Sequence, residues 1–453
     1  MRESVNQGAF KIRTDDLDRR VEIALGLSRG DPVTRKEYIS PNNQGRFSVI
    51  GKLESGVSML QSAIVNIKKI RGWLGETREF LEKDRHRSSW ARIPPSVINN
   101  FLLDRLSYIK TTTESASFQG RGLLNGDSGV RGDTTDKRAR FIRGSARVIS
   151  SPSRGYPLAI HQAPRPSVLM GEGLLSRESL RAESAIAIRE GTREVVYKIG
   201  KEENADSLVS NLRRLLTDQG LDIGVFRSRN NTLFLRHNQL GSRNGFKGIS
   251  YRTRLISDTP GQYVSARPGV DVAGTIGEES AHGDGGFLIG DKGNRNTDGL
   301  VVYFDGEIEF PGQVVDHVKV RQNGILIPLD STESQVEVLS VPSLVPELLA
   351  AGVSNYSGFS DLASIRGNTE AECRDALRLI VWSMTYLEFL RDELKWKEKV
   401  YVDRAVGLLR STIHPRTNGE EMMYLSKEKA RDMVDQLKTM LTPSTAMRIT
   451  SPT

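Results

Sequence analysis

Two apolar repeats at opposite ends of the 453-residue chain limit what it can fold into. In the first, Leu53, Val57, Leu60, Ile64, Ile67, Leu74 and Leu81 follow spacings of four and three, with Arg71 and Arg78 standing in the register. In the second, Leu377, Ile380, Met384, Leu387, Leu394, Tyr401, Ala405 and Leu408 repeat the pattern, broken at Arg391 and Glu398. A seven-residue apolar period held over such lengths predicts a long helix that offers a narrow seam to a partner helix. The economical reading is that the two seams meet. The chain then leaves a helical rod and returns to it, with its middle inserted as a β-rich outgrowth. The alternative is a pair of amphipathic helices that each cover a separate core.

The middle supports that layout. Ile186, Ile188, Val195, Tyr197 and Ile199 alternate, Ser207 to Asp218 has helical spacing, and short β-patterned runs follow at 222–225 and 232–237. A glycine-rich stretch closes it between Asp271 and Gly306. Pro94 and Pro95 open a further helix carrying Val97, Phe101, Leu102 and Ile109, a placement proline tolerates because its missing N–H has no helical acceptor there. The expected fold class is therefore α+β: terminal long helices packed as a coiled-coil rod, with an inserted β-rich outer domain containing a small ββαββ unit. The expected divisions are a flexible or short-helical segment at 1–45, an N-terminal helical rod at 46–125, and a Gly/Pro/Arg-rich linker with first strands at 126–182. An α/β unit at 183–250, a β-rich outer domain at 251–345, a C-terminal helical rod at 346–445, which ends in a helix over Lys427 to Leu441, and a disordered tail at 446–453 complete the chain.

Composition narrows the functional classes. An apolar fraction of 37% and a mean hydropathy of -0.39 describe a chain with much exposed surface. The excess of 64 Lys and Arg over 56 Asp and Glu permits an anionic partner without arguing for one, and no nucleic-acid partner is expected. The basic set Lys137, Arg138, Arg140, Arg143, Arg147, Arg154 and Arg165 reads either as a contact for an acidic neighbour or as a solvated face. The Arg131-Gly132-Asp133 tripeptide matches an adhesion motif, but three residues recur by chance. Cys373 is the only cysteine, which excludes an internal disulfide and reads as a small helix-face hydrophobe. The first twenty residues lack the apolar core of a cleavable secretory signal, and no run approaches the roughly 20 apolar residues of a membrane span.

Chemistry-bearing motifs are sparse. Among the histidines, no two share a helical metal-ligand spacing or lie beside a cysteine. His282, among Glu278, Glu279 and Asp284, reads as a solvated loop or as an acid/base cluster in a 278–298 loop. Asp284, Asp291, Asn294, Asn296 and Asp298 suggest a calcium loop but match no EF-hand spacing. No catalytic residue, metal site or cofactor is expected, and the chain is read as a non-enzyme. The alternative is a surface-associated binding protein or carbohydrate-active enzyme that uses the 278–298 loop.

Residues 185–250 resemble the flagellin hook IN motif: the strand pair AIAIREGTREVVYKIG, the helix ADSLVSNLRRLLTDQGL, and the strands DIGVFRSRNNTLFLRH, closing at GSRNGF. Val270 to Ile276 with Gly299 to Tyr303 is similar to the strand and turn pattern that accompanies it. Glu54 to Leu74 resembles the flagellin amino-terminal helix, Phe118 to Asp127 the turn that ends that rod, and Thr369 to Arg410 the carboxy-terminal rod helix. The chain departs from flagellins in its charged beginning, in Arg71 and Arg78, in Trp90 and Pro94-Pro95, and in its Ser/Pro/Thr end. The resemblance implies a divergent structural component of the bacterial flagellar filament, flagellin-like or a minor or hook-associated axial protein, exported to the extracellular flagellum without a cleavable signal peptide. It also implies self-association, contact with other flagellar axial subunits, and an export chaperone as partner. The assembly seam would be Leu53, Val57, Leu60, Ile64, Ile67, Leu74, Leu377, Ile380, Met384, Leu387, Leu394 and Leu408.

Overall fold

The computed structural model describes residues 37–38, 42–85, 93–257, 259–330, 332–413 and 424–425. Most of the flexible or short-helical segment expected at 1–45, the helix expected over 427–441 and the tail at 446–453 lie outside them.

Helices α1 (Asn42–Arg85) and α5 (Glu370–Ile413) each run for 44 residues and pack along one another. They are antiparallel: Gly56 meets Tyr401, Gln61 meets Glu398, Arg71 meets Glu388 and Gly75 meets Met384. The apolar repeats explain the pairing, because a stripe one or two residues wide on each helix leaves water only when it faces the other. A third helix, α2 (Pro95–Ser115), lies on α1, where Phe80 stacks on Phe101 with ring centroids 4.1 Å apart. Pro94 occupies its N-cap and Pro95 its first turn. At the open end of the hairpin, strand β1 (Glu37–Tyr38) pairs with the chain's last described strand (Tyr424–Leu425).

All of 116–369 is inserted between α2 and α5, beginning with the two-residue strands β2 (Ser117–Phe118) and β3 (Arg121–Gly122). An eight-stranded antiparallel sheet uses β4 (Val130–Asp133), β5 (Ala139–Arg143), β6 (Tyr156–Gln162), β14 (Ala273–Ile276), β15 (Glu279–Asp284), β16 (Phe287–Gly290), β17 (Val301–Phe304) and β18 (Gln313–Gln322). Its order is β4-β18-β6-β14-β15-β16-β17-β5. The connection 134–138 joins the two outermost strands, and a β-carbon on Gly132 would overlap the Phe141 ring, so the sheet curls until its edges approach. The segment 126–182, expected as linker and first strands, thus supplies β4 to β6, the long β7 (Pro166–Leu174) and the short helix α3 (Arg177–Ala182).

A second core lies beyond it. Strands β8 (Ala185–Glu190) and β9 (Arg193–Lys198), helix α4 (Ala205–Asp218), and strands β10 (Ile223–Arg227) and β11 (Thr232–Leu240) follow one another in the chain. The two strand pairs of this ββαββ succession divide between two sheets. β8 and β9 join β12 (Lys247–Ser250) and β13 (Val264–Ser265), whereas β10 and β11 join β7. The ladder is captured by β7, which continues from the eight-stranded sheet and offers β11 a long partner. Helix α4 starts in a capping box, Asn204 accepting from the Asp206 and Ser207 amides while Ser207 Oγ accepts from the Asn204 amide. It buries Leu208, Val209, Leu212 and Leu216.

Three separate apolar cores result, one for the hairpin and its neighbours, one for the α4 unit and one for the eight-stranded sheet. The molecule is α+β, with a C-terminal helix and a β-rich insertion.

Candidate assembly interface

The helical hairpin collects the residues singled out in the sequence. Leu53, Val57, Leu60, Ile64, Ile67 and Leu74 on α1, with Ile380, Leu387 and Leu394 on α5, are buried in one core. Leu377, Met384 and Leu408 are half-buried at its margin. Two of the polar breaks are used across the hairpin: Gln61 Nε2 donates to Glu398 Oε1 at 3.0 Å, and Arg71 Nη2 approaches Glu388 Oε1 at 3.4 Å, whereas Arg78 pairs with Glu82 and Arg391 with Glu388 and Asp392 along their own helices. Neither cross-hairpin contact adds much stability at a solvated margin, but each fixes register, because a slip of one turn would leave both partners unmatched. Glu54, beside this core and 9% exposed, carries a carboxyl pushed up from 4.5 to about 7 by burial.

Three aromatic side chains face outward on α5. Trp382, Phe389 and Trp396 stand seven residues apart and are 40%, 67% and 64% exposed. Trp382 also stacks on Tyr386 at 5.7 Å. They are not among the expected seam residues, and their own seven-residue spacing, offset by two from Ile380, Leu387 and Leu394, marks a second stripe on the same helix.

The β-rich insertion is fastened to the hairpin by ion pairs. Arg378 Nη1 donates to Asp222 Oδ1, which also accepts from Asn238 Nδ2 at 2.7 Å, and Arg374 pairs with Asp218 at 2.5 Å. The Asp222 amide donates to Glu190 Oε2 at 2.8 Å, and Glu190 Oε1 lies 2.8 Å from the buried His237 Nε2. Arg140 ties the eight-stranded sheet to Asp361 at 3.2 Å, and the Arg143 guanidinium lies 5.9 Å from the Tyr386 ring centre. The four arginines between 138 and 147 thus serve internal contacts: besides Arg140 and Arg143, Arg138 pairs with Asp136 and Arg147 with Asp298. Beside Arg374, Tyr197, Asn211, Arg214, Leu215, Asp218 and Glu370 line a shallow, open cavity of about 540 Å³.

The 278–298 loop does not converge. Glu279 accepts from the backbone amides and side chains of Asn296 and Thr297, His282 bonds Asp291 at 2.6 Å, and Asp284 pairs with Arg243 at 3.0 Å. Each acidic group serves a different turn. Glu278 occupies a hairpin turn with φ at 65°. Among the described residues, no group of three or more His, Cys, Asp or Glu could hold a metal ion, and no helix is long and apolar enough to cross a membrane.

An antiparallel helical hairpin built from distant parts of the chain, carrying a β-rich insertion, defines the architectural class. No family model and no curated protein matches the chain. Among solved structures, it is similar to the D2-D3 domains of the flagellar cap protein FliD from Escherichia coli, at 10% identity and a TM-score of 0.29, over 43% of this chain and 99% of that one. It is also similar to FliC from Burkholderia pseudomallei, at 11% identity and a TM-score of 0.29, over 76% of this chain and 99% of that one. A further likeness is to the flagellar junction protein FlgL from Legionella pneumophila, at 9% identity and a TM-score of 0.22, over 79% of this chain and 94% of that one.

Proposed function

We propose that this chain is a structural subunit of the bacterial flagellar axis, a flagellin-like or minor hook-associated protein, and not an enzyme. The observation that carries the reading is the antiparallel pairing of α1 and α5 along their length, with the whole of 116–369 set between them. A hairpin of this kind suits side-by-side stacking, because its outer faces run parallel to its axis while the insertion leaves the stack free. The named resemblances at 54–74, 118–127, 185–250 and 369–410 supply the flagellar assignment. The finer parts of the reading are a coiled-coil rod, a hook IN unit at 185–250, and export without a cleavable signal peptide.

In this mechanism the seam residues hold the hairpin rigid. Leu377, Met384 and Leu408, at the margin of the core, extend toward a neighbouring copy or another axial subunit. The β-rich insertion faces outward, and an export chaperone holds the chain before assembly. Electron microscopy of the purified protein, alone and mixed with isolated filaments, tests the proposal. Filament formation or decoration is expected; particles that stay monodisperse and never decorate would overturn it.

A further inference from the structure

We propose that the outer aromatic face at Trp396 is the docking surface for a segment of this same chain, Lys427 to Leu441. The inference does not depend on the flagellar reading.

The face is too small for a free partner. Aromatic side chains carry about 150–250 Å² each, so Trp382, Phe389 and Trp396 at their exposures present together roughly 300–400 Å². A stable interface needs about 800 Å² from each partner. A tethered segment has a lower requirement, because attachment replaces dilution with a local concentration in the millimolar range.

The chain provides such a segment at the right end. Leu425 is paired with Glu37, five residues before α1 begins, so residues 426–453 start at the open end of the hairpin. Trp396 lies 17 residues before Ile413, about 25 Å from that end at 1.5 Å per residue. Between Lys427 and Leu441, Ala430, Met433, Leu437 and Met440 fall at spacings of three and four, with Val434 and Leu441 beside them. A helix over those fifteen residues is about 22 Å long. Laid back along α5, it brings its last turn, Met440 and Leu441, to the Trp396 indole. Phe389 lies one repeat further, within reach of the residues that follow, and Trp382 lies beyond the segment.

This gradient makes the inference testable in the full chain. In a Cys373→Ala background, Trp396→Cys is combined with Leu437→Cys or with Met440→Cys, and Trp382→Cys with Met440→Cys serves as control. Trp396 and Trp382 both lie outside the buried core. The expected result is an intramolecular disulfide in at least one Trp396→Cys pair at all protein concentrations, and none in the control. Disulfide-linked dimers in place of the internal bond would assign the face to a second copy and overturn the proposal. The absence of any cross-link in both pairs, or equal cross-linking in the control, would overturn it as well. Hydrogen exchange gives an independent readout: amides of 427–441 are expected to exchange at least about tenfold faster in Trp396→Ser than in the unaltered chain. Unchanged exchange would also sink the idea.

Discussion

Gly56 and Tyr401 meet across the helical hairpin so closely that a β-carbon on Gly56 would lie 3.2 Å from the Cδ2 and Cε2 atoms of the ring. Glycine inside a helix costs about 0.5–1 kcal/mol relative to alanine, so most helical glycines improve when a methyl is added. Gly51 and Gly72 on the same helix have nothing within 4 Å of the position that methyl would take. Gly51→Ala and Gly72→Ala are therefore expected to raise stability by about 0.5–1 kcal/mol each. At Gly56 the ring is fully buried and cannot move aside, so Gly56→Ala gains nothing, and Gly56→Val loses about 1–3 kcal/mol by overpacking. Urea midpoints at unchanged m-value report all four. A Gly56→Ala gain equal to that of Gly51→Ala would show that the close approach does not constrain the hairpin.

Glu54 gives the hairpin a pH dependence with a defined sign. Burial raises its carboxyl to about 7 in the folded chain, against 4.5 when solvated. Below pH 4.5 it is neutral in both states and carries no ionisation cost. Between pH 4.5 and 7 the unfolded chain releases the proton while the folded chain keeps it, so stability falls as pH rises through that window and then levels off. The loss is on the order of 3 kcal/mol. Glu54→Gln removes it, so the variant should match the unaltered chain at pH 4 and exceed it at pH 8. Equal differences between the two proteins at every pH would refute the assignment.

The hairpin was legible in the sequence because its cause is local: a seven-residue apolar period can be read one helix at a time. Its partner choice followed from there being two such helices. The outer aromatic stripe of Trp382, Phe389 and Trp396 is equally periodic, but a period alone does not tell an exposed stripe from a buried one. The eight-stranded sheet was not legible in its order. Its strands are mostly four to seven residues long, and β6 pairs with β18 across more than 150 residues, so the choice depends on long-range contacts that no window of sequence contains. For the same reason the acidic residues at 278–298 read as one cluster. Glu279 reaches Thr297 and Asp284 reaches Arg243, partners that only the folded chain supplies.

The joint between hairpin and insertion depends on Arg378. Its guanidinium holds Asp222, whose side chain is otherwise bonded to Asn238. Arg378→Met leaves a largely buried carboxylate without its cation and is expected to cost about 2–3 kcal/mol. Combining it with Asp222→Asn should recover much of that loss, since the stranded charge is removed. Hydrogen exchange should locate the effect in β10 and β11 while α1 stays protected. A double variant as unstable as the sum of the single changes would show that the two residues do not act as a pair.

Adjacent glutamates in the β14–β15 hairpin are expected to respond in opposite directions. Gly277 and Glu278 form the turn with φ values of 64° and 65°, a conformation that a side chain resists. Glu278→Gly relieves that resistance and should stabilise by about 0.5–1 kcal/mol after the added freedom of the unfolded chain is counted. Glu279 is bonded to the amides and side chains of Asn296 and Thr297. Glu279→Ala strands those donors and should cost about 1–3 kcal/mol, with faster exchange confined to the 291–298 turn. If the two carboxylates instead served a shared reaction, both changes would abolish an activity at little cost in stability. A stable Glu279→Ala protein with an unchanged 291–298 turn would therefore return the loop to consideration as a site.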